Sequence, residues 1–162
     1  MLSGVLSGMT TGAPLCAVIK NSDTHSSDYK NISRIPRPGH ADYTAYVKYG
    51  GFNDVRGGGH FSGRLTAPLV FAGAVCRQIL RRRGVTVGAH VYSIYGVKDK
   101  PFDMADISPS LLDSLSGRYF PVIDGAAEKA MREKIAEAQS SLDSVGGIVE
   151  CAAAGLPAGL CG

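Results

Sequence analysis

The sequence predicts a fold of mixed α and β structure. Two segments with the apolar pattern of helices, at 66–83 and 124–142, alternate with two segments typical of strands, at 85–97 and 146–154. A third observation is a long polar stretch at 21–64 that shows neither period. The predicted order, with one further strand near the N-terminus, is therefore strand, long loop, helix, strand, helix, strand.

The composition is that of one globular domain. The chain has 162 residues, of which 44% are hydrophobic and 19% charged, and this is enough apolar material for a core. We expect residues 1–162 to form a single domain. No run approaches the roughly 20 apolar residues of a membrane span, and the N-terminus lacks the pattern of a signal peptide, so we expect a cytoplasmic protein. The net charge of +3 is too small to indicate nucleic-acid binding by itself.

The first half contains one predicted strand and one predicted helix. The strand is expected at 15–19, after residues with turn chemistry. Thr66 is a plausible N-cap for a buried helix that is almost wholly apolar from Leu69 to Leu80. Three arginines follow and complement the negative end of the helix dipole, and Gly84 suits the left-handed residue beyond it.

The second half repeats this alternation. A strand is predicted at 85–97, and after a loop through Pro101 and Pro109, Asp124 can cap a second helix. Glu128 and Arg132 form an i,i+4 pair on that helix. A last strand is predicted at 146–154. The apolar stripe of the second helix comprises Ala127, Met131, Ile135, Ala138 and Leu142.

The cysteines do not indicate a metal site. They lack the Cys-x-x-Cys and Cys/His spacings that hold zinc, so no metal is predicted. Their even number leaves a disulfide pairing open, but a chain this apolar does not need such staples, and free cysteine is favoured. The four are Cys16, Cys76, Cys151 and Cys161.

The basic, glycine-rich part of the long loop is a candidate anion site. Glycines at 57–59 let the backbone approach an anion, Ser62 can donate a hydroxyl hydrogen, and Arg37 and Arg64 can grip a phosphate or carboxylate. The N-terminus of the helix that follows adds unpaired N–H groups. Neither of the common nucleotide-loop motifs is met, so a simple glycine turn with a solvated basic face remains the alternative.

His40 is the candidate proton-transfer residue. It follows the turn-forming pair Pro38 and Gly39 and stands two residues before Asp42. Histidine is the side chain best suited to proton transfer near neutral pH, although a lone histidine on a loop is more often a surface residue. His25 and His90 lack a comparable context, and no role is predicted for them.

These residues carry a family resemblance. RPGHADYT at 37–44, KYG at 48–50, DVRGGG at 54–59 and SGR at 62–64 closely resemble the central signature of chorismate synthases. Flanking strings agree in order, and the resemblance covers nearly the whole chain. They are LSGV at 2–5, TTG at 10–12, SSDY at 26–29, DS at 143–144 and GLPAG at 155–159.

The resemblance implies a fold and a reaction. The fold is of the α+β class, a β-α-β sandwich in which helices pack against antiparallel sheet. The reaction is a 1,4-anti elimination of phosphate from 5-enolpyruvylshikimate 3-phosphate, which gives chorismate for aromatic amino acid biosynthesis. It depends on reduced FMN and involves no net redox change, so the family member is a lyase that acts on a phosphorylated small molecule.

The resemblance also implies roles for individual residues. His40 matches a histidine that supplies a proton to the reduced flavin. The phosphate and carboxylates of the substrate are expected on Arg37, Ser62 and Arg64. FMN is expected to contact His60, Phe61 and Ser62, where the chain departs from the Arg-Ser-Ser that the family often has.

The chain is expected to be the central part of such an enzyme and to be inactive by itself. It lacks the family's N-terminal Gly-Glu-Ser-His-Gly segment and the C-terminal part with an Arg-x-Asp motif. The family implies a homotetramer. Whether the parent enzyme reduces its own flavin with NADPH stays open.

Two other classes of function are alternatives. The interleaved Arg, Gly and Tyr residues of 37–64 could bind nucleic acid by phosphate contacts and base stacking, although the broad basic face typical of such modules is missing, and no nucleic-acid or membrane partner is expected. A non-catalytic interaction domain is the other alternative.

Overall fold

The chain divides into two units, Met1–Gly73 and Ala74–Gly162, and each is described by itself. The structure is a computed structural model that describes residues 1–22, 25, 29, 31–32 and 34–160. Ser26, Ser27 and Asp28 of the family resemblance, and Cys161, lie outside the described residues. The expectation of a single domain stays a prediction.

The first unit begins with a short antiparallel hairpin. Strands β1 (Val5–Leu6) and β2 (Met9–Thr10) are joined by Ser7 and Gly8, whose φ angles of 48° and 79° are those of a tight two-residue turn. The predicted strand at 15–19 is wrong. That segment makes a single isolated bridge, between Cys16 and Ser3, because its backbone meets no partner strand among the described residues.

The long segment at 21–64 is less irregular than predicted. Helix α1 (Asp42–Lys48) lies within it, followed by a tight loop at Arg56–Phe61, whose three glycines have non-helical backbone angles, and a 3-10 turn at Gly63–Leu65. With seven residues α1 is too short to show a helical period. The sequence feature that could have predicted α1 is the charge at its two ends, because Asp42 in the first turn and Lys48 in the last both complement the helix dipole.

Helix α2 (Thr66–Arg82) confirms the predicted helix and contains the boundary between the units. Its end is as predicted: Gly84 has a φ of 78°, its N–H bonds to Arg81, and the N–H of Val85 bonds to Leu80. These are the two hydrogen bonds of a Schellman motif.

Two predictions about α2 were wrong. Thr66 is not the N-cap, because its backbone is already helical and its hydroxyl donates to the carbonyl of Gly63 at 2.6 Å. No residue of the helix is buried, and Leu69 is 71% exposed, so the apolar run did not identify a buried helix. Among the described residues, no helix has both the length and the apolar character needed to cross a membrane.

The second unit contains a three-stranded antiparallel sheet. Its strands are β3 (Thr86–Ile94), β4 (Val97–Lys98) and β5 (Gly147–Ala154), in the order β4-β3-β5. The strand predicted at 146–154 is confirmed. The one predicted at 85–97 is divided into β3 and β4, because Tyr95 and Gly96 both have positive φ and form a tight turn.

Two helices of the second unit contact β3. Helix α3 (Pro109–Leu115) was missed, because it falls in a proline-containing stretch that was expected to be loop. Helix α4 (Gly125–Ser140) confirms the second predicted helix, and Asp124 caps it by accepting from the N–H of Ala126 at 2.9 Å. The combination of helices with antiparallel sheet confirms the α+β class.

The predicted surface of α4 is partly correct. Glu128 and Arg132 form the expected pair at 2.8 Å, and Met131 is fully buried. Leu142, however, lies beyond the helix with a φ of 56° and is almost wholly exposed. The described cysteines are free and exposed: Cys16, Cys76 and Cys151.

The core of the second unit lies where α3 meets the sheet. Phe102, Leu112 and Leu115 form its buried cluster. Gly88 allows the close approach, because a Cβ built there would lie only 2.8 Å from the Cβ of Leu112. The tight contact is why β3 carries glycine at this position.

A buried ionic network joins the sheet to the loops around it. His90 is fully buried, and its Nδ1 and Nε2 each lie 2.8 Å from a carboxylate oxygen, of Asp99 and of Glu150 respectively. His90 and Glu150 face each other across β3 and β5. An imidazole that donates to both carboxylates carries a hydrogen on each nitrogen. No role was predicted for His90, and nothing in its sequence context indicated this one.

Backbone donors complete the network. Asp99 accepts from the N–H groups of Ile123 and Asp124 at 2.6 and 2.9 Å, and Glu150 accepts from that of Phe102 at 2.9 Å. Burial acts to raise the pKa of Asp99, but these N–H groups, that of Lys100 and His90 outweigh it, so the pKa lies below its ordinary 3.8. Burial also acts to raise the pKa of Glu150, but the hydrogen bonds from His90 and from the N–H of Phe102 outweigh it, so this pKa is lowered as well.

Replacing Asp99 by asparagine is expected to lower the free energy of unfolding by about 3 kcal/mol at pH 7, because it leaves buried His90 with one charged partner, Glu150, instead of two. A carboxyl whose pKa is lower in the folded state stabilises above its unfolded value and loses that effect as pH falls through the folded value. The difference between wild type and Asp99→Asn should therefore shrink below pH 3.8. Urea unfolding at several pH values measures it.

The matched control is Asp106→Asn, which removes the same charge from an exposed position in the adjacent loop. Its effect should stay within about 0.5 kcal/mol. Equal effects of the two substitutions at pH 7 would show that the network does not stabilise the unit.

Candidate functional site

The glycine loop of the first unit has a backbone that only glycine adopts easily. Gly57, Gly58 and Gly59 have consecutive φ angles of 62°, 79° and 49°. A Cβ on Gly59 would overlap the carbonyl oxygen of Asp54, and one on Gly58 would lie 3.4 Å from Nε2 of His40. The loop is therefore both strained for other residues and closely packed.

Ser62 and Arg64 hold this loop against the start of α2. The hydroxyl oxygen of Ser62 accepts from the backbone N–H of Arg64 at 3.2 Å, and the Arg64 guanidinium donates to the carbonyl of Gly57. A carbonyl is a neutral acceptor, so the charge of Arg64 is not cancelled by this bond. The Ser62 hydroxyl still has its own hydrogen to donate.

A cavity of about 570 Å³ lies beside the loop. Ser62 and Arg64, two residues of the predicted anion site, line it, and two further cations, Lys20 and Arg56, line it with them. No acidic side chain in the described part of the chain pairs with Lys20 or Arg64. Lys20 was not predicted as a site residue, because it precedes the basic segment and has no motif around it.

Arg56 is already paired. Its Nη2 lies 2.7 Å from Oδ2 of Asp54, and both side chains are exposed, by 70% and 55%. The hydrogen bonds from Arg56 lower the pKa of Asp54 to about 2. Water screens exposed pairs of this kind, and they contribute little to stability, so Arg56 can leave Asp54 for a ligand at small cost.

Arg37, His40 and Asp42 form a second cluster in the same unit. Nε and Nη2 of Arg37 lie 2.8 and 2.9 Å from the two carboxylate oxygens of Asp42, whose side chain is only 6% exposed. Nδ1 of His40 lies 2.7 Å from Oδ1 of Asp42. Nη2 of Arg37 also lies 3.2 and 3.3 Å from the two ring nitrogens of His40.

The charges of this cluster stabilise each other. The hydrogen bonds from Arg37 hold the pKa of Asp42 well below its ordinary range against the opposing effect of burial. The hydrogen bond to Asp42 correspondingly raises the pKa of Arg37. Asp42 is therefore a carboxylate and Arg37 a cation throughout the physiological range.

His60 and Phe61 form an aromatic edge on the loop. Their rings meet edge to face at 5.6 Å, and the Phe61 ring lies 6.4 Å from that of Tyr49. Phe61 is 37% exposed. Neither residue is among those that line the 570 Å³ cavity.

The predicted site residues thus fall into three groups. Ser62 and Arg64 share the cavity, Arg37 and His40 share the Asp42 cluster, and His60 and Phe61 form the exposed edge. The His40 ring joins the first two groups, because it packs against Gly58, where Ser62 also packs. Arg37 does not line the cavity.

Comparison with known proteins agrees with the resemblance. The family model for chorismate synthase matches residues 1–162. Proteins named chorismate synthase from Thermococcus kodakarensis and Korarchaeum cryptofilum are 47% and 45% identical over 100% and 99% of this chain. One from Dehalococcoides mccartyi is 44% identical over 99% of it. The chain spans 43% of the length of each of these relatives.

The fold and the candidate site together indicate a general class of protein, one that binds a small anionic molecule. An α+β chain with a cationic cavity and a histidine held by a buried carboxylate has the parts of a binding site for a small anionic molecule. With a family model matched over its whole length, the chain belongs to the chorismate synthase family.

Gly59→Ala is expected to destabilise the first unit by about 2 kcal/mol, because the added methyl group meets the carbonyl of Asp54 and the residue has a positive φ. Amide chemical shifts between residues 54 and 64 should move with it. Thermal unfolding and two-dimensional NMR measure the two effects. Gly63→Ala is the control, since no described atom lies within 4 Å of its added Cβ. Equal effects of both substitutions would contradict the role of the loop geometry.

Proposed function

We propose that the chain supplies part of the active site of a chorismate synthase, a lyase that eliminates phosphate from 5-enolpyruvylshikimate 3-phosphate. The observation that carries this proposal is the cavity in which Ser62 and Arg64, the residues that match the family's substrate contacts, stand beside Lys20 and Arg56. Membership of the family supports a phosphorylated substrate.

The substrate carries a phosphate and carboxylates, and the cavity offers donors for such groups. Arg64 and Lys20 bring positive charges that no acid in the described residues offsets, and Ser62 brings a hydroxyl donor. Charge-assisted hydrogen bonds of this kind are about twice as strong as neutral ones. Arg37 is the third proposed substrate residue. It keeps donors for this task, since a guanidinium has five N–H groups and bidentate pairing with Asp42 uses two.

His40 is the proposed proton donor. Its ring is held between Asp42 and the glycine loop, next to the residues that line the cavity. A histidine with a fixed ring and a neighbouring anion site is suited to give a proton where charge develops. A second histidine of this unit, His25, lines the cavity itself, but it is not part of the family signature.

The residues of the loop also fit a flavin. A flavin combines an apolar aromatic ring system with polar edges, and Phe61 and His60 offer an exposed aromatic edge beside the Ser62 hydroxyl. These three residues are the proposed FMN contacts. When bound, reduced FMN supplies transient electron donation to the substrate, which leaves no net redox change.

Further family properties belong to the same proposal. They are the β-α-β sandwich of the whole fold, a single domain that includes both units, a homotetrameric assembly, cytoplasmic location and a role in aromatic amino acid biosynthesis. The chain by itself is proposed to bind ligands without turning them over, since it spans 43% of the relatives. Turnover by the isolated chain at the rate of a full-length relative would contradict this.

Binding of nucleic acid by segment 37–64 receives less support. Arg37 and Arg56, two of its cations, are paired with Asp42 and Asp54. A paired cation releases fewer counterions from a phosphate backbone, and such release is the main source of nucleic-acid affinity. Tight, steeply salt-dependent binding of RNA in a filter assay would favour this alternative.

Arg64→Gln is expected to weaken binding of 5-enolpyruvylshikimate 3-phosphate to the chain by about tenfold to a hundredfold, because it removes a charged donor from the cavity. Isothermal titration calorimetry, with reduced FMN present under anaerobic conditions, measures the affinity. The effect should diminish as salt is added.

Arg83→Gln is the matched control, since it removes the same charge from an exposed position outside the cavity lining. It should leave the affinity within about twofold, the scale of distant charge effects in salt. If wild type binds neither the substrate nor reduced FMN, or if both substitutions weaken binding alike, the proposed site is wrong.

A further inference from the structure

We propose that Asp42 is the positioning residue of His40: its carboxylate fixes a hydrogen on Nδ1 and leaves Nε2 as the ring nitrogen that takes up and releases the proton. The proposal deepens the function proposed above and rests on it for the role of His40. Its geometry stands on the contacts of the His40 ring with Asp42 and Gly58.

The first step is that Asp42 can only accept hydrogen bonds. Its side chain is 6% exposed and receives Nε and Nη2 of Arg37 at 2.8 and 2.9 Å. The backbone N–H of Arg37 adds a third donor at 3.0 Å. A carboxylate with three such donors is ionised, and the lowered pKa of Asp42 agrees with this.

The second step is the position of the hydrogen on His40. Nδ1 lies 2.7 Å from Oδ1 of Asp42, which is a short hydrogen-bond distance. Two lone pairs would repel at that separation, so Nδ1 must carry a hydrogen. In the neutral ring the lone pair is then on Nε2. Nη2 of Arg37 lies almost equally far from both ring nitrogens, at 3.2 Å from Nδ1 and 3.3 Å from Nε2, so this contact does not favour either tautomer.

The third step is the direction of the ring. The N–H of His40 bonds to the carbonyl of Arg37 at 3.3 Å across a turn in which Gly39 has a φ of 71°. With Nδ1 held by Asp42, the opposite edge of the ring faces Gly58, and a Cβ there would lie 3.4 Å from Nε2 and 3.5 Å from the Cβ of Ser62. Nε2 is thus the nitrogen on the side of the glycine loop.

Arg37 acts as the clamp of this arrangement. Because it occupies both carboxylate oxygens, the carboxylate cannot rotate away from His40 without breaking the bidentate pair. Proton transfer at Nε2 then changes only that nitrogen, while Nδ1 keeps its hydrogen throughout. In the catalytic triads of hydrolases, an aspartate likewise holds the histidine in one tautomer and orientation.

The test is the tautomer of His40 in the ¹⁵N-labelled 162-residue chain. Long-range ¹H–¹⁵N spectra distinguish a protonated from an unprotonated ring nitrogen, and are recorded where the ring signals show the neutral form. Wild type is expected to show Nδ1 protonated as the major form. In Asp42→Asn, Arg37 takes the one remaining oxygen, the amide NH₂ faces Nδ1, and the major form should change to protonated Nε2.

Asp54→Asn is the matched control, because Asp54 also pairs bidentately with an arginine in this segment but touches no histidine ring. It should leave the His40 tautomer as in wild type. A wild-type ring with Nε2 protonated overturns the proposal, and so does an unchanged tautomer in an Asp42→Asn chain with native amide shifts. If Asp42→Asn does not fold, the wild-type tautomer decides alone.

This experiment separates the two proposals. Substrate and reduced FMN are titrated into the same sample, and failure of both to bind would overturn the proposed function while leaving the tautomer result intact. Binding with the wrong tautomer would overturn only the positioning role of Asp42.

Discussion

Each unit of this protein contains a buried carboxylate that must receive hydrogen bonds, and the residues that donate them are held in place around it. An ionised carboxylate removed from water is stable only when donors replace its hydration shell. Asp42 meets this need by drawing Arg37 and His40 around itself, and Asp99 meets it with backbone N–H groups that precede α4. The segments that supply these donors are loops. In the second unit apolar burial of Phe102 and Val122 also fixes them, whereas the turn from Arg37 to His40 depends mainly on its bonds to Asp42.

Elements with long, consistent signals could be predicted from sequence, and short ones could not. Helix α4 has a capping aspartate at its start and an apolar stripe that includes the buried Met131. Helix α2 ends in cationic residues that are followed by Gly84. Helices α1 and α3 have seven residues each, too few to display a period, and their stability comes from tertiary contacts. The burial of α2 was mispredicted, because an apolar sequence shows what a surface can bury and not what covers it.

For the candidate site, the sequence could identify residues suited to bind an anion, but not which of their charges are paired with other side chains. The glycines, Ser62 and Arg64 were predicted together and lie together, since they are neighbours in sequence. The cancellation of Arg37 and Arg56 by aspartates, the presence of Lys20 in the cavity, and the network of His90 all depend on side-chain contacts that composition does not encode. The nearness of Asp42 to His40 was visible in the sequence, but its role required the 2.7 Å contact with Nδ1.

The two arginine–aspartate pairs of the first unit differ in what an incoming anion can do to them. Arg56 and Asp54 are both largely exposed, so exchange of the aspartate for a phosphate or carboxylate loses little pairing energy. Removing Arg37 from Asp42 instead leaves a buried carboxylate short of donors, which costs more. A ligand in the cavity therefore recruits Arg56 far more readily than Arg37. Arg37 can contribute only while it keeps its hold on Asp42, and this keeps the orientation of His40 independent of whether the cavity is filled.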